Sequence, residues 1–431
     1  MIRIIAIIFT TIITSLYIFS FEFTFLPGLN TKKILAVIGM VAFFIDLAQK
    51  RNAVLNKNIL TISVLAAIVS TFAFVSVVYN DTNETAYVTY LMSMWVWLAA
   101  AYAVVTLMRA VHGKVSLEII CNYLIAVCVS QCFIAIAIDF IPAVKEVVNT
   151  YIGSMSGMGG ASEFNNRARL YGIGAAIDVA GTRFAAIEVI IAYLCMKKQD
   201  ITQKQQMTYL IAFWIIAVIG NMIARTTTIG VLIALFYWIV ITVCSSNKFE
   251  AISNFWRAFG TVAICMLPIV VCLYLYNTAM REYIRFGFEG FFSLWEKGTW
   301  EVHSNDMLVD MYRFPETTKT WMIGDGYFEN PRTDPYYIGY QWKGFYMGTD
   351  VGYLRFLFFF GIWGLLAFCL FFVKVCISCA EIDSQNKVLF RLLLVLGFGI
   401  WFKVSTDLFV VFALFLWQPN QQNKDVSDVE V

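Results

Sequence analysis

The sequence has almost no histidine, only His112 and His303 in 431 residues. Metal chemistry built on several imidazoles is thereby excluded, and no HExxH pattern is present. A G-x-x-x-x-G-K-[ST] loop is also missing, which removes nucleotide hydrolysis by that route. Charge is scarce, at 14% of residues against roughly 25% in an average soluble domain. The formal net charge of +2 leaves no broad positive field for nucleic acid. Cysteine is absent from the longest polar segment. All ten cysteines (Cys121, Cys128, Cys132, Cys195, Cys244, Cys265, Cys272, Cys369, Cys376 and Cys379) lie in apolar stretches or at their ends. They read as small packing residues rather than a disulfide framework, and the lone CxxC at Cys376/Cys379 has no second pair to complete a zinc site. No small-residue cleavage site follows Met1–Phe21, so this stretch reads as a first span rather than a removed signal.

What is present in quantity is apolar surface: 60% hydrophobic residues and a mean hydropathy of +0.72. A water-soluble fold of this size is excluded. A bilayer span needs about 20 mainly apolar residues, and runs of that kind occur at about 2–20, 34–48, 59–79, 87–108, 117–139, 184–196, 207–224, 226–244, 258–278 and 350–375. A further stretch, 388–417, is too long for one span and is interrupted by Lys403 and Asp407, which predicts two shorter helices or a re-entrant pair. The expectation is an all-α polytopic membrane bundle of eleven or twelve spans: helices over 1–279, a large polar loop over 280–349, further helices over 350–417 and a polar tail over 418–431.

Lys and Arg in short loops set the orientation. With the N-terminus in the cytoplasm, the inner loops carry Lys50, Arg51 and Lys57; Arg109 and Lys114; Lys197, Lys198 and Lys204; Lys248 and Arg257; and Lys387. The outer segments are then Phe21–Lys33, Asn80–Ala86, the region from Phe140 to Arg183, and Met280–Thr349. This last loop is rich in aromatics, among them Phe286, Trp295, Trp300, Trp321, Tyr336, Tyr337 and Trp342, so it is expected to be folded. No internal repeat is visible.

Arginines at the outer boundary are the most informative chemistry. Arg167 and Arg169 precede Tyr171-Gly-Ile-Gly174, Arg183 follows Gly181-Thr182, and Arg225 precedes three threonines between two apolar runs. A planar guanidinium grips phosphate oxygens in pairs, whereas the plainer reading is a side chain snorkelling to headgroups. For Arg167 and Arg183 both readings stand; for Arg169 and Arg225 the adjoining Gly and Thr favour a ligand. Thr349 or Asp350 is the expected cap of the span beginning near 350, but capping leaves Arg355, a turn inside, unexplained. His303, Asp325 in a Gly-Asp-Gly turn, and Glu22 complete the set, with the Asp81/Glu84 pair the only other acids of the early outer loops.

The ordered motifs Arg169-Leu-Tyr-Gly-Ile-Gly, Val179-Ala-Gly-Thr-Arg183-Phe, Gly220-Asn-Met-Ile-Ala-Arg225-Thr-Thr, Phe286-Gly-Phe-Glu-Gly290, Lys319-Thr-Trp-Met-Ile-Gly-Asp325-Gly-Tyr and Gly348-Thr-Asp350-Val-Gly-Tyr-Leu-Arg355 span nearly the whole chain. In this order they resemble the Wzy-type bacterial polysaccharide polymerases, relatives of the O-antigen ligases. The resemblance implies a fold like the class C glycosyltransferases, with a partly helical external loop, in the bacterial inner membrane. It implies polymerisation of undecaprenyl-pyrophosphate-linked repeat units into O-antigen or capsule. No cofactor and no metal are implied; membrane lipids, a chain-length regulator and a flippase are the implied company. Arg169, Arg183, Arg225 and Arg355 would then hold diphosphates, and Asp350, Asp325, His303 or Glu22 would handle the acceptor hydroxyl. A ligase remains open, as does a flippase or transporter, although transporters commonly show internal repeats.

Overall fold

The computed structural model describes residues 2–49, 57–155, 158–160, 169–197, 201–244, 249–330 and 344–418. Arg167, Tyr336, Tyr337, Trp342, the tail beyond residue 418 and the basic residues Lys50, Arg51, Lys198 and Lys248 lie outside them. In chain order the helices are α1 (Ile2–Ile18), α2 (Thr31–Ala48), α3 (Lys57–Tyr79), α4 (Tyr90–His112), α5 (Leu117–Phe140), α6 (Pro142–Tyr151), α7 (Ile177–Lys197), α8 (Gln203–Ile215) and α9 (Asn221–Ile223). They continue as α10 (Thr227–Cys244), α11 (Phe249–Tyr276), α12 (Thr278–Gly287), α13 (Glu289–Lys297), α14 (His303–Asp310), α15 (Thr318–Met322), α16 (Gly352–Ile382), α17 (Lys387–Ile400) and α18 (Phe409–Phe415). A small antiparallel sheet interrupts the helical plan, with β1 (Phe21–Phe23) beside β2 (Ile152–Met155) and β2 beside β3 (Met158–Gly160).

Among the described residues eight helices are long and apolar enough to cross a membrane: α3, α4, α5, α7, the Gln203–Ile223 run, α10, Ile252–Tyr276 within α11, and α16. The chain is therefore a multi-pass helical membrane protein. Eleven or twelve were expected, and the difference lies in the shorter elements. Helix α1 has 17 residues, α2 carries Lys32, Lys33 and Asp46, and the 388–417 stretch is split into α17 and α18 by a non-helical segment holding Lys403 and Asp407. Asp407 accepts the Phe409 N–H at 2.8 Å, so the break supplies its own start signal for α18.

Two compact units divide the fold. One comprises Met1–Ala42 and Ala100–Trp300, the other Phe43–Ala99 and Glu301–Val431. Helix α7 is the axis of the first unit, buried along nearly its whole length against α10, α5 and α8. By contrast α11 buries little and presents Ile264, Leu267, Ile269 and Val271 outward, an apolar face suited to lipid rather than water. Local signals fix the ends of these elements. Ser116 caps α5 through Ile119 N–H, Thr202 and Gln205 form a reciprocal capping box on α8, and Asn277 caps α12 through Met280 N–H.

In the second unit α16 packs along α3, with α15, α17 and α18 against it. The pair is antiparallel: Ser76 at the end of α3 donates to Phe359 O at 2.7 Å, and Lys374 donates to Asn58 Oδ1 at 3.4 Å. Helix α16 is not continuous. Phe360 and Gly361 leave helical geometry, with Gly361 at φ +69°, which frees backbone carbonyls inside a span. Those carbonyls are recaptured. Asp325 N–H donates to Phe358 O at 2.6 Å, Gly326 N–H donates to Phe359 O at 3.1 Å, and Ser76 shares Phe359 O. Satisfying them is obligatory where water is absent, so the Gly324-Asp325-Gly326 turn serves as a plug for the broken helix.

Candidate functional site

In the first unit the site starts from a turn between two spans. The Gln203–Ile223 run ends through a π-helical stretch, Ile216–Gly220, and Ala224 is extended at φ −154°, which turns the chain and leaves Arg225 between spans before α10 begins. Thr228 Oγ1 donates to Asn221 Oδ1 at 2.6 Å and Thr226 Oγ1 to Asp178 Oδ1 at 3.2 Å, so the threonines stabilise the turn itself. In the sequence the threonines read as neighbours of a ligand-facing arginine; in the structure Thr226 and Thr228 bond within the turn that presents Arg225. A Cβ on Gly181 would meet Thr226 Cβ at 2.8 Å and Ala224 Cβ at 2.9 Å, showing that the glycine is there for helix α7 to approach the turn.

Arg169 is brought to the same place by backbone. Leu170 N–H donates to Met222 O at 3.1 Å, and the following loop is clamped by Gln131, whose side chain accepts Ile173 N–H and donates to Ile173 O, both at 3.0 Å. The guanidinium carbons of Arg169 and Arg225 then lie 4.8 and 4.4 Å from the centroid of one ring, Phe286, near the end of α12. Glu289, at the start of α13, forms an ion pair with Arg225. Arg183 is elsewhere in this unit. It is 6% exposed inside α7, its guanidinium 5.7 Å from the Phe19 ring, so it is a core residue rather than a boundary one. Glu22 lies on β1 and accepts the Gly28 N–H at 3.2 Å, a turn-holding contact.

The second unit contains a more enclosed centre. Arg355, 6% exposed in the first turn of α16, has its guanidinium 3.6 Å from the Phe328 ring centroid and 4.3 Å from that of Phe345. Its Nη1 donates to Ser405 Oγ at 2.8 Å and lies 3.5 Å from Asp350 Oδ1, while Nη2 donates to Phe328 O at 3.0 Å. Phe328 and Phe345 come together because Glu329 and Phe345 form an antiparallel bridge and Asn330 N–H donates to Gly344 O at 2.8 Å. Tyr87 packs its ring 5.4 Å from that of Phe328. The expected cap was Thr349 or Asp350; the observed cap position is Val351, and buried Thr349 instead accepts Val351 N–H at 3.3 Å. That leaves Asp350 for Arg355.

Asp325 is held by Lys319 Nζ and Thr320 Oγ1, each at 2.8 Å, and by Tyr346 OH at 3.3 Å, all donating to it. Burial and then the Asp325 charge push the Tyr346 hydroxyl up to about 12. His303 is exposed at the start of α14. Beside the Arg355 centre in sequence and space, Met307, Asp310, Met311, Arg313, Asn330, Met347 and Gly348 line an open cleft of about 520 Å³.

Sequence reasoning did not single out Phe328, Phe345 or Ser405; it met Phe286 and Glu289 only within a loop motif, without a role beside arginine, and Glu84 only as half of a possible acidic pair. Aromatic partners of an arginine have no spacing signature when they come from other segments. Among the described residues no group of three or more His, Cys, Asp or Glu is placed to hold a metal ion. No protein family, curated protein or solved structure matches the chain.

Proposed function

We propose that this chain is a glycosyltransferase of the outer membrane-facing side of the bacterial inner membrane, joining undecaprenyl-pyrophosphate-linked repeat units into O-antigen or capsular polysaccharide. The observation that carries this reading is the Arg355 centre. A guanidinium between two rings at the first turn of a spanning helix is a fixed cation at headgroup depth, where a lipid-linked diphosphate would present its charge. The adjoining cleft is polar at Asp310, Arg313 and Asn330 and large enough for a sugar unit. Within the first unit, Arg169 and Arg225 around Phe286 form another cationic centre of a kind suited to a diphosphate. The motif order described above supports the same class, and no nucleotide-binding loop is needed when the donor carries its own leaving group.

The test is the lipid-linked glycan profile of a deletion strain. Accumulated single repeats support the polymerase. Long chains that accumulate on the carrier lipid would instead mean a ligase, and repeats retained on the cytoplasmic side a flippase.

A further inference from the structure

We propose that Glu84 is the group that removes the proton from the acceptor hydroxyl, an assignment that rests on the glycosyl-transfer reading. Its position is set by the loop after α3, which is pinned along the 324–328 segment. Asn80 Nδ2 donates to Gly324 O at 3.2 Å, Thr82 Oγ1 donates to Gly326 O at 2.9 Å, and the Tyr87 ring rests on Phe328. Glu84 falls between the last two of these pins. Glu329 follows Phe328, and the charges of Glu329 and Arg355 both reach Glu84.

Two observations separate Glu84 from the other acids. Asp325 already accepts three hydrogen bonds, Asp350 is paired with Arg355 and Glu22 holds a turn, whereas Glu84 is half-buried and accepts no hydrogen bond among the described residues. Independently, Arg355 has a donor in reserve. Its Nε is buried without a partner among the described residues, although Nη1 and Nη2 are both used. A buried N–H left open is suited to an incoming polar ligand, and the charge of the same arginine reaches Glu84.

In the step itself the acceptor hydroxyl oxygen bonds to C1 of the donor sugar, and the bond from C1 to the diphosphate oxygen breaks. The electron pair of that bond leaves with the lipid diphosphate. The hydroxyl proton passes to a Glu84 carboxylate oxygen. Burial, then the negative charge of Glu329, holds the Glu84 carboxyl above the usual carboxylate range, with Arg355 acting in the opposite direction. Asp81 lies on the same loop, Asp350 pairs with Arg355, and the charge of Asp407 reaches Tyr87. Only the ionised form accepts a proton, so activity rises with pH through the Glu84 ionisation. Removing the Glu329 charge moves that limb to lower pH.

The experiment supplies purified lipid-linked repeat units to wild-type, Glu84→Gln, Glu84→Asp and Glu329→Gln proteins in membrane vesicles. Polymer formation is followed against pH, and retention of the lipid-linked repeat and the melting temperature are measured on the purified proteins. The expected results are a loss of about 100-fold or more in polymer for Glu84→Gln with substrate retention kept, partial activity for Glu84→Asp, and an acidic limb displaced to lower pH in Glu329→Gln. Polymer formed as fast by Glu84→Gln as by wild type, or a limb unmoved in Glu329→Gln, overturns the role of Glu84 and leaves the transfer reading standing. No polymer from inserted wild-type protein overturns the transfer reading, and the role with it.

Discussion

Arg225 and Arg355 are both arginines beside aromatic rings, but they differ in what a substitution should reveal. Arg225 lies over Phe286 with Glu289 as its ion-pair partner and keeps 16% of its side chain exposed, so a ligand can reach it. Lysine there keeps the charge and loses the planar fork and its stacking. Arg225→Lys is expected to weaken retention of a lipid-linked diphosphate by about 10-fold or more, from about 1.5–3 kcal/mol per charge-assisted hydrogen bond, with insertion unchanged. Binding equal to wild type would make Arg225 a boundary anchor. Glu289→Gln should act in the reverse direction, because it leaves the Arg225 fork to the ligand; weaker retention in that variant would show that Glu289 positions Arg225 rather than competes for it. Asp350 lies at the same scale. Since Asp350 lies 3.5 Å from Arg355 as its ion-pair partner, Asp350→Asn should reduce polymer formation by less than Glu84→Gln does. A double reversal, Asp350→Arg with Arg355→Asp, is not expected to restore activity, because a carboxylate would then face the negative faces of Phe328 and Phe345. Recovery in the double variant would mean that the ion pair matters more than the aromatic box.

The ranking of these acids shows where sequence reading stops. Asp350 and Asp325 are conspicuous in a sequence because they sit near an arginine or between glycines. Glu84 has no such neighbour, and its association with the 324–329 segment is made by hydrogen bonds between residues 244 positions apart. Arg355 was legible for a different reason: a cation inside an apolar run is visible in one dimension, whereas the rings around it are not.

Among the elements, α16 carries the strongest structural constraint. Its break depends on Gly361, at φ +69° and with no room for a Cβ against the backbone carbonyl of Met322, and on Gly324, at φ +83°, where a Cβ would meet Phe359 O at 2.6 Å. Each glycine permits both a left-handed backbone and a close approach. Gly361→Ala should therefore destabilise the protein by about 1–3 kcal/mol or more, seen as a lower melting temperature in detergent. An unchanged melting temperature would mean that the helix can straighten. Asp325→Asn separates the structural and chemical readings of that residue. The amide oxygen can still accept from Thr320, but the NH2 group that replaces the oxygen facing Tyr346 cannot accept, and the ion pair with Lys319, which is partly exposed, is lost. A small fall in melting temperature with polymer formation retained is expected, and abolished polymer with unchanged stability would return Asp325 to the chemistry. Hydropathy foretold the long spans because lipid demands continuous apolar length. It did not foretell the α16 break or the β1–β2–β3 sheet, since one glycine in a phenylalanine-rich run and three short strands leave little periodicity.

For the whole molecule, sidedness can be argued without deciding whether the shorter helices cross. In the first unit, α5 separates Lys114 from Phe140 and α7 returns the chain to Lys197, so Arg109, Lys114, Lys197 and Lys204 share one side of the bilayer. Three spans, Gln203–Ile223, Thr227–Cys244 and Ile252–Tyr276, lie between Lys204 and Gly298, so these two positions must be on opposite sides. In the second unit the antiparallel α3 and α16 put Lys57 and Lys387 at one end and Glu84, Asp350 and Arg355 at the other. Short-loop lysines and arginines are retained in the cytoplasm, so the expectation for each unit taken by itself is that its arginine centre faces outward. Reporter fusions after Lys204 and after Gly298 should read cytoplasmic and external, respectively. Two fusions reporting the same side would contradict the span count between them. A reversed pair would keep the spans but place Arg225 and Phe286 in the cytoplasm, where repeat units are built rather than joined, and the polymerase reading would then have to be abandoned.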